Sequence, residues 1–319
     1  MRANLRQQGV ALITAILVVS LASVLAISLV NQLHLDISRS ENILHHDQAY
    51  LYVLGVEDFA LLALQEDEKK YDALDEEWHT TKVVAPVEGG QVTGALTDLQ
   101  GLFNLNNLTK GNKNFDQHLQ HFKRLLKNNE LDENLANAVI DWLDEDLETS
   151  IPGGAEDDYY LGLEKPYRTA NYYFRSPSEL RLVKGFDLQE TYDRLIPLVA
   201  TLPENTSINI NTAPREVLES LHEDIAENID KILQQRDGDV TSDNSNGSAF
   251  ESLADFETYM KNTLKKTKFS AQSLPINVTT DYFLLQSDAE VGRGHVKLYS
   301  TIFRNDKTMT IINRSQGTW

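Results

Sequence analysis

From Val10 to Val30 the chain reads VALITAILVVSLASVLAISLV, with no charge, proline or glycine in the run. A helix of about 20 such residues crosses the hydrocarbon core of a bilayer. The run is preceded by MRANLRQQG, in which Arg2 and Arg6 are the only charged side chains, and the first Lys or Arg after it is Arg39. The positive-inside rule therefore places the N-terminus in the cytoplasm and everything after about Gln32 outside, which in a bacterium is the periplasm. A secretory signal would carry its small-residue cleavage box after the apolar stretch. Here the small residue, Gly9, stands before it. The simplest alternative is an uncleaved single-pass anchor.

Helical spacing continues past the apolar run. No proline follows as far as Asp67, and Gly55 is the only weak point. Leu33, Ile37, Leu44, Leu51 and Leu54 recur on one stripe, with Asp36, Arg39, Glu41 and Asp47 elsewhere, which predicts one helix of about 55 residues, half in lipid and half packed on a soluble domain. His45 and His46 are adjacent on this helix, point to different faces and read as surface or interface residues. A hairpin is predicted from Val83 and Val84 through Glu88-Gly89-Gly90 to Val92 and Leu96. Residues 102 to about 274 are mostly of helical period. Strand alternation returns in Val296, Leu298, Ser300 and Ile302, with turns at Gly292-Arg293-Gly294 and Asn305-Asp306. The order predicts an α+β fold whose early and late strands share one sheet, with the helical block inserted between them.

Charge and composition narrow the function. The chain carries 48 acidic and 29 basic residues, a net charge of −19, which argues against nucleic acid. It has no cysteine, which removes disulfides, thiolate nucleophiles and Cys-type zinc sites. SININTAPREVL, Ser207 to Leu218, resembles the start of a helix-hairpin-helix module, with Asn211-Thr212 as cap and Pro214 in the first turn. The glycine-rich hairpin that would meet phosphate is missing. Neither a nucleophile elbow nor HExxH occurs, so no enzyme is expected.

A short basic leader, a glycine and an uninterrupted apolar helix resemble the type IV pilins. In that family a membrane peptidase cuts after the glycine, here between Gly9 and Val10, and methylates the new amine of Val10. Most pilins carry Glu at the fifth mature position, which is Thr14 here. An unpaired charge in a bilayer costs roughly 2.5–3.5 kcal/mol, whereas a threonine hydroxyl bonds a carbonyl one turn back. Together with DWLDED, PGGAEDDYY, PYRTAN, SELRLVKGF and SININTAP in that order, the absent Glu makes the chain resemble minor pseudopilin K of type II secretion systems. The resemblance implies a type IV pilin-like fold, a long N-terminal helix on a small antiparallel sheet, with a large inserted all-α domain resembling SAM and helix-hairpin-helix modules. It divides the chain into a leader (1–9), a transmembrane part (10–30), periplasmic helix and first strands (31–101), the insertion (102–274) and C-terminal strands (275–319). It also implies a place at the tip of a periplasmic pseudopilus, limiting or initiating filament growth. The implied partners are minor pseudopilins I and J, the prepilin peptidase, the major pseudopilin and the inner-membrane assembly platform. Partner helices are expected on the Leu33, Ile37, Leu44 and Leu51 stripe.

Between Glu130 and Glu164 there are twelve acidic residues and no Lys or Arg. Leu131, Leu135, Ala138, Val139 and Trp142 make an apolar helix face, and Asp141, Asp144 and Glu145 are expected off it. Two carboxylates about 4 Å apart repel by roughly 4 kcal/mol at an effective dielectric of 20, so such a cluster needs solvent or a cation. Calcium suits oxygen ligands presented around a glycine turn. A solvated acidic face is the plainer reading; the resemblance implies one or two structural calcium ions instead. The expected ligands are Asp141, Asp144, Asp146, Glu156 and Asp157, with Asp158 the outlier. DGDVTSDNSNG, 237–247, lacks the glycine and terminal glutamate of an EF-hand loop and is expected to be a plain loop. The rival to all of this is an uncleaved, single-pass periplasmic binding protein stabilised by calcium.

Overall fold

A computed structural model of the chain describes residues 5–67, 70–79, 83–238, 247–306 and 308–319. Helix α1 (Leu5–Glu66) has 62 residues, longer than the spacing predicts. At 1.5 Å per residue it is about 93 Å long. Every large apolar side chain from Val10 to Val30 is more than half exposed, and the helix has the length and composition to cross a membrane. Inside that run the Thr14 hydroxyl donates to the carbonyls of Val10 (3.1 Å) and Ala11 (3.0 Å), so it needs no outside partner. Past Gln48 the helix acquires a buried face of Ala49, Val53, Glu57, Ala60 and Leu64, at intervals of three and four residues. This is not the leucine stripe. Leu33, Ile37, Leu44 and Leu51 are all exposed, and Leu54 is half-buried at the edge of the packed face.

Strands β1 (Val83–Val87) and β2 (Gly90–Asp98) form the hairpin, pairing antiparallel with Val87 opposite Gly90. Gly89 takes φ +82°, where a side chain is strained.

After Asp98 the chain leaves the sheet and builds the insertion. Its elements are β3 (Phe103–Asn104), α2 (Phe115–Asn128), α3 (Leu135–Leu143), α4 (Asp157–Tyr160), α5 (Gln189–Leu195), β4 (Val199–Ala200), β5 (Ile208–Asn209), α6 (Arg215–Leu221), α7 (Glu223–Ala226), α8 (Ile229–Asp237), α9 (Leu253–Thr258) and β6 (Ile276–Asn277). One apolar core, including Phe103, Phe122, Trp142, Leu218 and Phe256, runs through all of it.

The insertion is the same device used twice. β3 pairs in parallel with β4, and β5 with β6, each over two residues. The side chain of Asn106 replaces missing strand partners by bonding both backbone groups of Phe174, accepting from its N–H at 2.8 Å and donating to its carbonyl at 3.0 Å. Asn211 does the same to Phe250, at 2.9 Å each way. The preceding Asn104 and Asn209 accept from the N–H of Asn106 and Asn211. FNLN and ININ are therefore structural equivalents. This corrects the capping role read for Asn211-Thr212: α6 has Pro214 at its N-cap and no side-chain cap.

The chain returns as β7 (Tyr282–Val291), β8 (Gly294–Asn305) and β9 (Thr308–Gln316), completing a five-stranded antiparallel sheet of order β1-β2-β7-β8-β9. Early and late strands meet at β2 and β7, with Gly90 opposite Val291 and Asp98 opposite Phe283. The α+β, pilin-like architecture with a helical insertion is the one expected. The turn at 292–294 presses on α1: a Cβ at Gly294 would lie 2.5 Å from the carbonyl carbon of His45.

Insertion and sheet are joined through buried polar groups. Asp98 accepts from Asn209 (2.8 Å), from the Thr212 hydroxyl (2.6 Å) and from the Gln100 N–H (2.6 Å). Asn209 also donates to the Asp72 carbonyl at 3.0 Å. Arg304, fully buried, ion-pairs with Asp72 and with Asp67, the latter at 2.9 Å. Stripping one buried partner strands the others at about 1–3 kcal/mol. Asn209→Ala should lower unfolding stability in urea by that amount, while the exposed Asn205→Ala stays within about 0.5 kcal/mol. Equal shifts would remove this junction from the stability of the fold.

Candidate functional site

Helix α3 ends at Leu143, and Asp144 leaves it in extended conformation, ψ 165°. One turn earlier Asp141 is fully buried, not off the packed face as the spacing suggests. Its Oδ2 accepts from the Ser150 N–H at 3.0 Å, which draws the following turn inward. The approach is so close that a Cβ on Gly154 would lie 2.1 Å from Asp141 Oδ2. The turn then delivers Glu156, 2 % exposed, to the start of α4.

The result brings together Asp144, Asp146 and Glu156, whose carboxylate oxygens lie within 4.8 Å of one another. Asp141 is close enough to act on Glu156 electrostatically. Asp157 is turned to other partners: its Oδ1 accepts from Thr169 N–H (3.1 Å) and hydroxyl (3.0 Å), and Arg168 lies 3.3 Å from Oδ2. Asp158 is exposed. One participant was missed by sequence reasoning. Lys110 Nζ lies 2.7 Å from Asp144 Oδ2 and 3.2 Å from Asp146 Oδ2. It stands far upstream of the acidic block, and nothing local to it signals the meeting.

One lysine does not neutralise this group. Carboxylates at such separations repel by about 3–4 kcal/mol at an effective dielectric of 20. Burial, then the charges of Asp141 and Asp144, push Glu156 up to about 7. Burial also raises Asp144 in spite of Lys110. Asp144 Oδ1 and Glu156 Oε1 are buried and meet no donor. Orphaned carboxylate oxygens are costly unless something positive reaches them. The donor set, all hard oxygen, fits a hard divalent cation.

The second candidate surface is on α1. Leu44 is 65 % and Leu51 66 % exposed. Beside them, Tyr52, Val56, Phe59, Trp78 and Leu96 line an apolar groove of about 400 Å³ between the helix and the β1–β2 hairpin. His45, read from sequence as a surface or interface residue, is half-buried under the 292–294 turn, where the Arg293 N–H approaches its Nδ1 at 3.4 Å. Of the loop 237–247, residues 239–246 lie outside the described residues.

A long N-terminal helix, bare through its first half and laid across a small antiparallel sheet through its second, defines a pilin-like subunit. Family models described as type II secretion system (T2SS), protein K, match residues 101–204 and 208–273. The chain is 33% identical to the type II secretion system protein K of Pseudomonas aeruginosa, covering 98% of this chain and 93% of that one. It is 31% identical to the protein K of Aeromonas hydrophila, covering 98% of both. Among solved structures it is similar to a chain in the crystal structure of the GspK-GspI-GspJ complex from the enterotoxigenic Escherichia coli type 2 secretion system, with TM-score 0.74 and 26% identity. That match covers 88% of this chain and all of the other. The chain belongs to the type II secretion system protein K family, the minor pseudopilins of that pathway.

The raised Glu156 has a pH signature. Its folded state holds the proton more tightly than the unfolded state between 4.5 and about 7, so in chelator stability falls as pH rises through that window and then levels. Asp72, raised to about 6 by burial against the pull of Arg304, adds a decline of its own. Glu156→Gln should flatten the fall of Tm between pH 4.5 and 7 without abolishing it. An unchanged slope would unlink Glu156 from stability.

Proposed function

We propose that this chain is the tip subunit of a periplasmic pseudopilus, held in the inner membrane by α1 with its N-terminus cytoplasmic and its folded domain periplasmic. The observation that carries the reading is where the insertion grows. The β7–β8 turn sits against His45, toward the membrane half of α1, whereas Asp98 and Tyr282 open the insertion at the opposite end of the sheet. A bulk of helices at the membrane-distal end blocks a further subunit from stacking above, while the exposed stripe of α1 stays free for helices beside and below. Thr14 supports the same place: with its hydroxyl satisfied inside the helix, it offers no charge to a neighbour's terminus above. The role is structural rather than catalytic, limiting or initiating filament growth.

In this reading a prepilin peptidase cuts between Gly9 and Val10 and the Val10 amine is methylated. The partners are minor pseudopilins I and J, as in the similar solved complex, and beyond them the major pseudopilin and the inner-membrane assembly platform. Co-expression with the peptidase and both partners, followed by membrane extraction, tests it. The recovered chain should begin at Val10 and carry I and J with it, and Leu44→Asp should keep the processing but lose most of the partners. A start at Met1 with the peptidase present would return the chain to an uncleaved anchored binding protein. Undiminished recovery with Leu44→Asp would move the contact off the stripe.

The acidic group is proposed to hold calcium, one or two ions in a structural role. Asp144, Asp146 and Glu156 would hold it, with Asp141 behind them, and the ion would tie the end of α3 to the start of α4. The orphaned oxygens of Asp144 and Glu156 support this. Asp144→Ala should lower Tm in calcium but not in chelator; an equal drop in both conditions sinks the calcium role.

A further inference from the structure

The outer face of the sheet carries a second group of metal-ligating side chains, unlike the first. On β7 and β8 the side chains of Ala289, Val291, Val296 and Leu298 are buried under α1. The alternation of a strand therefore sends Asp288, Glu290 and His295 to the opposite face. Glu290 is directly across from His295, and Gln91 of β2 is directly across from Glu290 on the other side. His295 Nε2 lies 2.9 Å from Asp288 Oδ1, and the ligand atoms of all three residues lie within 4.8 Å of one another.

Asp288 and His295 form an ion pair across the hairpin, and Glu290 stands beside it as a second carboxylate, its ligand atom within 4.8 Å of theirs. The cross-strand partner of Asp288 is Lys297, whose ammonium instead lies over the Tyr299 ring, 5.3 Å from its centre. Gln91 Nε2 donates to Glu290 Oε2 at 3.4 Å, a contact that helps orient that carboxylate. The scaffold is rigid, because the hairpin's turn is wedged on His45 with no room for a Cβ at Gly294.

We infer that Asp288, Glu290 and His295 form a binding site for a borderline divalent ion of the zinc class. An imidazole nitrogen with two carboxylates suits zinc, whereas the all-oxygen set in the insertion suits calcium. A tetrahedral zinc holds neighbouring ligands about 3.4 Å apart, so side-chain rotation suffices to close the group. Three protein ligands leave the fourth position to water or to a donor from outside the chain. The site faces away from α1, at the end of the sheet nearest the membrane half of that helix.

The test is equilibrium dialysis of the detergent-solubilised full chain against zinc, with calcium in excess to fill the oxygen-only site, and with bound metal counted by mass spectrometry. One zinc per chain is expected. His295→Ala and Glu290→Gln should each weaken zinc binding at least about tenfold, while Asp144→Asn leaves it unchanged. Both His295 and Glu290 are exposed, so neither variant threatens the fold. No zinc on the unaltered chain, undiminished zinc with His295→Ala, or zinc lost only with Asp144→Asn would each overturn the assignment.

Discussion

Glu57 lies on the face of α1 that meets the sheet, among Ala49, Val53, Ala60 and Leu64, and is almost fully buried. Burial acts to raise its pKa, but hydrogen bonds from Arg314 and Ser300 and the charge of Arg314 outweigh it, and the carboxyl is held below its usual range. Ser300 donates at 2.5 Å, and Arg314 grips both oxygens at 3.0 and 2.6 Å. A buried charge of this kind is weak evidence for net stability, but it penalises every alternative seating of the helix. Turning α1 by one residue would leave Glu57 against aliphatic carbon and Arg314 unpaired. The helix is thereby fixed in rotation and in depth, and with it the face that remains for other helices.

The rest of the molecule follows from that seating. The 292–294 turn is pinned on His45, which sets one end of the sheet toward the membrane half of α1. The insertion then has to leave from the other end, through Asp98 and Tyr282. Its attachment is polar and buried, since the backbone departing a sheet carries groups that need partners. Asp98 collects donors from Asn209, Thr212 and Gln100 there, and burial still raises its pKa. Inside the insertion, short parallel strand pairs are too small to satisfy their surroundings, and Asn106 and Asn211 supply the missing bonds from side chains. The acidic group sits apart from both junctions, between the end of α3 and the start of α4. A cation there would stiffen the insertion without touching α1.

Much of this was legible in residue order. The apolar run, the absence of proline through the long helix, the Gly89-Gly90 turn and the alternation around Val296 and Leu298 act through neighbours one to four residues away, and all describe real elements. Of the expected ligands, Asp144, Asp146 and Glu156 come together because a glycine turn returns the chain upon a helix end, a signal present in PGGAEDD. Asp157 and Asp158 share that block, but Asp157 bonds Thr169 and pairs with Arg168 while Asp158 is exposed, since adjacent residues at a helix start point in different directions. Lys110 was invisible: nothing near it in sequence announces an acidic partner.

The sequence by itself determined a membrane-length helix continuing into a soluble α+β domain with a helical insertion, because hydropathy period and turn chemistry are local properties. It also determined the family, through leader, Thr14 and acidic block. Only the tertiary structure decided which side of α1 is covered. The leucine stripe and the Ala49–Leu64 face are both helical in spacing, and what separates them is a carboxylate that finds Ser300 and Arg314 more than two hundred residues away. Pairings at that range depend on how the whole sheet closes, and no local pattern carries them.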